Sequence, residues 1–259
     1  MNPVEQFRQE RQHICAALGS SPEARAVTSA WINYAQQHKY SYQFDWMGRP
    51  IIQYPQDIVA MQELIWALRP DLIIETGIAH GGSLIFNASM LAQLDMCDAI
   101  AAGQMFDPRV SQRKVLGIDI DIRAHNRSAI EAHPMASRIQ MIQGSSIDPD
   151  IVTQVRDIAS KYHKVLVCLD SNHTHEHVLA ELRAYAPMTT RGSYCVVFDT
   201  VVEDMPEALF PDRPWGPGDN PKTAVWTYLN EVQGFEVDRS IPDRYQITVA
   251  PDGFLRRVS

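Results

Sequence analysis

Leu72-Ile73-Ile74-Glu75-Thr76-Gly77-Ile78-Ala79-His80-Gly81-Gly82-Ser83 is the stretch that decides the fold. An apolar run climbs to an acid, Gly77, Gly81 and Gly82 follow, and Leu84–Leu94 then has the composition of a helix. Glycines let a backbone turn sharply and approach a ligand closely, so the stretch reads as a strand, a glycine loop and a helix. The spacing Gly77-x-x-x-Gly81-Gly82-Ser83 is not the dinucleotide fingerprint, and no Gly-Lys-Ser/Thr follows as in a P-loop. Alone, it fits a nucleotide-type site or an ordinary strand-to-helix turn.

Outward from it, strands and helices alternate. Pro55–Leu68 carries apolar residues at helical spacing and ends at Arg69-Pro70. After the glycine loop come strands at Val115–Ile120, Ile139–Gln143, Lys164–Leu169 and Ser193–Phe198. Helices are expected at Arg123–Ala132, Asp148–Tyr162, His175–Ala186 and Thr223–Glu231. Residues 95–113 read as an irregular inserted loop and 203–221 as a long proline-rich loop, a lid or an interface. Phe235–Asp238 and Gln246–Ala250 read as a closing pair of strands. Repeated βα units imply an α/β fold, a mostly parallel Rossmann-type sheet with helices on both faces and its ligand site at the carboxyl ends of the strands. Residues 1–50 are expected to form a helical N-terminal cap and an aromatic segment, Tyr40–Trp46, and 51–259 the α/β domain. The aromatics either line a substrate mouth or staple the cap to the core, the second being preferred.

Composition narrows the function. At 259 residues and 45% apolar content the chain can bury a sizeable core. A formal charge of −8 argues against nucleic-acid binding, which needs clustered Lys and Arg. The cysteines, Cys15, Cys97, Cys168 and Cys195, form no Cys-x-x-Cys pair, which disfavours structural zinc. No signal-like h-region and no bilayer-length apolar run are evident, so a cytoplasmic protein without a membrane span is expected.

The strand ends carry the chemistry. They deliver Glu75, Asp119, Gly144-Ser145-Ser146, Asp170 and Asp199, and so many acids point to one shared crevice. An acid after the second strand is the usual acceptor for two ribose hydroxyls, although Asp119 or Asp121 could instead serve a helix start. The Gly144-Ser145-Ser146 turn could contact an adenine or merely cap a helix. Two carboxylates from adjacent strands, Asp170 and Asp199, suit a hard cation such as Mg²⁺. His173 is placed to act as a general base. His175 and His177 open a helix and are read as solvated. No His-x-Asp or His-x-Glu pair for a non-haem iron site occurs in the chain.

Tyr40–Pro55, Asp71–Leu91, Gly117–Asp121, Asp170–His173 and Pro214-Trp215-Gly216-Pro217-Gly218-Asp219-Asn220-Pro221 together resemble the cephalosporin hydroxylase family. That family has the class I S-adenosylmethionine-dependent methyltransferase fold and includes rhamnosyl O-methyltransferases. Its metal site is similar to that of catechol O-methyltransferase, a Mg²⁺ enzyme. The resemblance implies that Glu75, Gly77 and Ser83 hold the methionine and ribose side of S-adenosylmethionine. It implies ribose binding by Asp119, an adenine contact at Ser146, metal ligation by Asp170 and Asp199, and a base at His173. The chain departs from the pattern at Phe198 and Thr200, leaving Thr200, Glu203 or water as third ligand. The expected activity is Mg²⁺-assisted O-methyl transfer to a small acceptor, a carbohydrate or glycoside, by an enzyme that is a homo-oligomer. The rivals are an oxygenase of the same family and a non-catalytic cofactor-binding accessory protein.

Overall fold

The structure, a computed structural model, describes residues 2–259. The chain opens with α1 (Pro3–Ser20) and α2 (Pro22–Gln37). Each starts at a proline, whose missing N–H costs nothing there, and a preceding Asn2 or Ser21 side chain accepts a free backbone N–H. Strands β1 (Phe44–Trp46) and β2 (Arg49–Ile51) pair as a hairpin. The aromatic segment is packing: Trp31, Tyr40, Phe44 and Tyr54 meet with ring centroids 5.0–5.8 Å apart.

The chain continues through α3 (Pro55–Leu68), β3 (Leu72–Thr76), α4 (Gly82–Ala102), β4 (Lys114–Asp119), α5 (Ala124–Glu131) and β5 (Ile139–Gln143). Then follow α6 (Pro149–Ala159), β6 (Val165–Leu169), α7 (His175–Tyr185), β7 (Tyr194–Val197), α8 (Pro221–Glu231), β8 (Phe235–Val237), α9 (Ser240–Tyr245) and β9 (Phe254–Arg257). The sheet runs β5-β4-β3-β6-β7-β9-β8; β3 to β7 are parallel and β9 is antiparallel to both neighbours. One face is covered by α3, α4 and Ile130 of α5, the other by α6, α7 and α8. That double cover is why β3 and β6 are apolar at successive positions and buried throughout.

Register levels the strand ends. Glu75 lies between Gly117 and Cys168, and Thr76 pairs with Leu169. Strand order reverses between β3 and β6, so a crevice opens there, at the end of the strand that carries Glu75 and beside Asp170.

Two expectations are overturned. Residues 95–102 are helical, not loop: α4 runs to Ala102 and stops at Gly103 with φ +63°. Its last turns are polar because Asp95 pairs with Arg113 and the buried Arg138, and Asp98 with Arg69 and Arg113. Gln246–Ala250 is not a strand. Gln246 has φ +60°, and the segment bonds to Asp57: Val249 N donates to Asp57 Oδ2 (2.9 Å) and the Thr248 hydroxyl donates to Oδ1. The closing strand is instead β9. By length and composition α4 could also cross a membrane, yet half of its most apolar stretch is buried, and its buried residues pack against the sheet as core.

Candidate active site

The glycine loop is clamped from three sides. Asp119 Oδ2 accepts from Ile78 N (2.8 Å) and Ala79 N (3.3 Å), while Oδ1 accepts from Asp121 N (2.9 Å). Asn126 Nδ2 donates to the Ala79 carbonyl (2.9 Å), and Arg49 Nε to the His80 carbonyl (3.0 Å). Arg49 also donates to Asn126 Oδ1 (2.9 Å), so the hairpin and α5 grip the loop jointly. Neither Arg49 nor Asn126 was singled out in the sequence; Arg49 does fall in the family-like Tyr40–Pro55 segment. Asp121 does not cap α5, which starts after Arg123 without a side-chain cap.

The glycines serve close packing. At Gly77, φ is +89° and a Cβ would overlap the Asp170 carbonyl oxygen and stand 3.0 Å from Ser171 Cα. At Gly82 a Cβ would overlap the Pro50 carbonyl. The space beside Gly77 is therefore already filled by the backbone that carries Asp170.

Four carboxylates converge here: Asp57, Glu75, Asp170 and Asp199. Glu75 is buried and accepts from the Ser83 hydroxyl and from Asn87 Nδ2 (2.8 Å). Burial outweighs those bonds and pushes its carboxyl up to about 7. Asp57 is likewise pushed up to about 7 by burial, against its bonds from Thr248 and Val249. It stands on the face of α3 that also buries Met61, Leu64 and Leu68, and an acid on an apolar stripe was the signal that sequence reasoning passed over. Asp57, Glu75 and Asp170 line one small chamber with Gln53 and Phe198. Burial first, then the like charges of Asp199, Glu75, Glu181 and Asp57, holds the Asp170 carboxyl well above the usual carboxylate range. Its side-chain partner is Gln53 Nε2 at 3.4 Å. Among the described residues no Lys or Arg forms an ion pair with any of the four; His173 Nε2 lies 3.4 Å from Asp199 Oδ2.

Asp170, His173 and Asp199 each offer one ligand atom, all within 4.8 Å of one another. The other expected ligands are engaged elsewhere. Thr200 is fully buried and donates to the Pro251 carbonyl. Glu203 accepts from Gly218 N (2.8 Å) and from the Asn220 amide. Phe198 is a core residue. Glu203 thereby fastens the 203–221 loop, which Asp219 ties to α7 by accepting from His175 N (2.6 Å). So held, the loop sets Trp215 edge-on against His173, centroids 4.8 Å apart. His175 and His177 are not free in solvent: His175 Nδ1 is 2.8 Å from Thr223 Oγ1, and His177 Nε2 is 3.1 Å from Ser146 Oγ. Ser146 itself is buried, its hydroxyl turned to α7.

A parallel sheet with a reversal between β3 and β6, a clamped glycine loop and acids at the strand ends define a class I methyltransferase fold. The family model for Rhamnosyl O-methyltransferase/CmcI matches residues 38–258, and the chain belongs to that family of S-adenosylmethionine-dependent O-methyltransferases. The Rhamnosyl O-methyltransferase of Mycobacterium bovis (strain BCG / Pasteur 1173P2) is 30% identical over 233 residues, 86% of this chain and 84% of the relative. That of Mycobacterium leprae (strain TN) is 31% identical over 214 residues, 82% of each chain. Solved structures of CmcI share the fold. One with Mg and SAM has a TM-score of 0.55 at 19% identity, covering 84% of this chain and 78% of CmcI. One with SAH has a TM-score of 0.52 at 19% identity, covering 83% of each.

Proposed function

We propose that this enzyme transfers the methyl group of S-adenosylmethionine to a hydroxyl of a sugar or glycoside, with a divalent cation, Mg²⁺, held by Asp170 and Asp199. The observation that carries the reading is the Asp170–His173–Asp199 cluster at the switch point, one backbone contact from the glycine loop. The donor set fits a hard cation: two carboxylates, one of them in surroundings that disfavour its negative charge and without a cationic partner. Two carboxylates to one imidazole is not the two-histidine set of a non-haem oxygenase. The curated relatives act, by name, on rhamnosyl groups, which supports a carbohydrate acceptor.

Mg²⁺ when bound supplies positive charge beside the acceptor oxygen and favours its ionisation. The residues do the rest. Ser83, Glu75 and Asn87 form a buried polar patch for the methionine end, and Asp119 faces the ribose. His173, the imidazole beside the two carboxylates, takes the acceptor proton. The acceptor oxygen attacks the sulfonium methyl: a C–O bond forms, the C–S bond breaks, S-adenosylhomocysteine leaves and the proton stays on His173. Trp215 supports the imidazole ring and offers an apolar surface to the sugar. Orientation in the crevice supplies most of the rate.

The test is product analysis. Incubation with S-adenosylmethionine, Mg²⁺ and a rhamnosyl glycoside should give an O-methyl sugar detectable by NMR. Methylation of a phenolic or carboxylic acceptor with no turnover of any glycoside would overturn the carbohydrate assignment.

A further inference from the structure

Asp199, just past β7, has a φ of +56°, a left-handed conformation that residues other than glycine enter sparingly. Gln246 and Asp252, each at +60°, bend the chain between them into a strap that lies against the turn after Asp199. The strap is bonded to that turn at two points. The Thr200 hydroxyl donates to the Pro251 carbonyl, and Val201 N donates to the Val249 carbonyl (3.1 Å). The strap is also bonded to α3. Asp57 accepts the Thr248 hydroxyl at Oδ1 and Val249 N at Oδ2 (2.9 Å), and the Thr248 oxygen accepts in turn from Ala250 N (3.0 Å). Val249 thus serves both ends, its N–H on Asp57 and its carbonyl on Val201. Asp57, Thr200 and Thr248 are all buried.

We infer, resting on the cation proposed at Asp170 and Asp199, that Asp57, Thr248 and Thr200 are positioning residues for that cation's site. Through the strap they hold the Asp199 backbone in the left-handed conformation that presents its carboxylate to Asp170 and His173. Such a conformation persists where the surroundings over-determine it. Here the fixing bonds fall on Thr200 and Val201, the two residues that follow Asp199. Freed of them, φ returns to negative values, the Cα–Cβ bond swings, and the carboxylate leaves the cluster it forms with Asp170 and His173, whose ligand atoms lie within 4.8 Å of one another. An acid suits the anchor on α3. Its two acceptor oxygens take a hydroxyl and a backbone N–H of the strap at once. An apolar side chain would fit the same buried face of α3 and leave Val249 N without its acceptor.

The test is Mn²⁺ binding, followed by electron paramagnetic resonance, in variants that change no charge. Thr200→Val and Thr248→Val each remove one hydroxyl at nearly constant shape. Each should weaken Mn²⁺ binding by about ten- to a hundredfold, the usual effect of losing a group that orients a metal ligand. Affinity for S-adenosylhomocysteine, measured by calorimetry, should stay at the wild-type value. Thr200→Ser and Thr248→Ser keep the hydroxyl and should bind Mn²⁺ as the wild type does. Thr248→Val added to Asp57→Asn should weaken Mn²⁺ binding no further than Asp57→Asn alone, since both cut the same anchor. Wild-type Mn²⁺ affinity in either valine variant overturns the inference alone. So does equal weakening of Mn²⁺ and S-adenosylhomocysteine, or the same loss in the serine variants as in the valine ones. Failure of the wild-type protein to bind Mn²⁺ overturns the cation reading together with it.

Discussion

Gly77 is packed directly on the backbone of Asp170: a Cβ on the first would overlap the carbonyl oxygen of the second. The contact crosses the switch point and joins the loop after β3 to the acid after β6. The glycine loop and the acid proposed to hold a cation are thus set by one backbone fit.

Gly77→Ala should therefore damage both halves of the site. The φ of +89° strains any L-residue, on the order of 1–3 kcal/mol, before the overlap with Asp170 is relieved. Thermal unfolding should show the loss of stability, and calorimetry weaker binding of S-adenosylhomocysteine. Wild-type values for both would mean that the loop is freer than the packing implies.

Asp57 and Glu75 make the ligand-free enzyme sensitive to pH. Their carboxyls rise from ordinary values of 3.8 and 4.5 to about 7 on folding. A raised folded-state value means a contribution to stability that is full at low pH and lost as pH climbs through about 7. Asp57→Asn, which removes one of these charges, should gain stability relative to wild type as pH rises from about 4 to about 7, at up to about 1.4 kcal/mol per unit of displacement. Denaturant melts across that range report the difference. A pH-independent difference would show that the Asp57 carboxyl titrates normally.

Much of this was legible in the chain. β6 and the start of β3 are buried on both faces, so they read as apolar runs, and Glu75 and Asp170 at their ends line one chamber. The far end of α4 was not legible because Asp95 and Asp98 find their partners at Arg69, Arg113 and Arg138, distant in sequence. Gln246–Ala250 alternates like a strand, but its bonds go to a side chain on α3 that no local pattern reveals. The same holds for Arg49 and Asn126: a clamp on a loop is a relation among three segments and leaves no periodicity.

His173 should be separable from the cofactor site. His173→Ala should lower kcat by about 10²–10⁴-fold, the usual worth of a positioned base. Affinity for S-adenosylhomocysteine should stay at the wild-type value. Equal loss in binding and turnover would make the residue structural.

Glu203 tests the loop. Glu203→Ala removes the acceptor that holds Gly218 and Asn220 and should release Trp215 from His173. KM for the acceptor should rise severalfold more than KM for S-adenosylmethionine, the pattern of lost acceptor positioning. A change confined to the cofactor's KM would contradict this assignment.

The central claim is that Asp170 and Asp199 hold a cation that methyl transfer requires while cofactor binding does not. It is tested most directly by assaying chelated enzyme, Asp170→Asn and Asp199→Asn on one glycoside acceptor, with S-adenosylhomocysteine affinity measured alongside. Chelation should abolish turnover, Mg²⁺ or Mn²⁺ should restore it in the wild type but not in the variants, and cofactor affinity should be retained throughout. Full methyl transfer by the chelated enzyme, or by either variant, would contradict it.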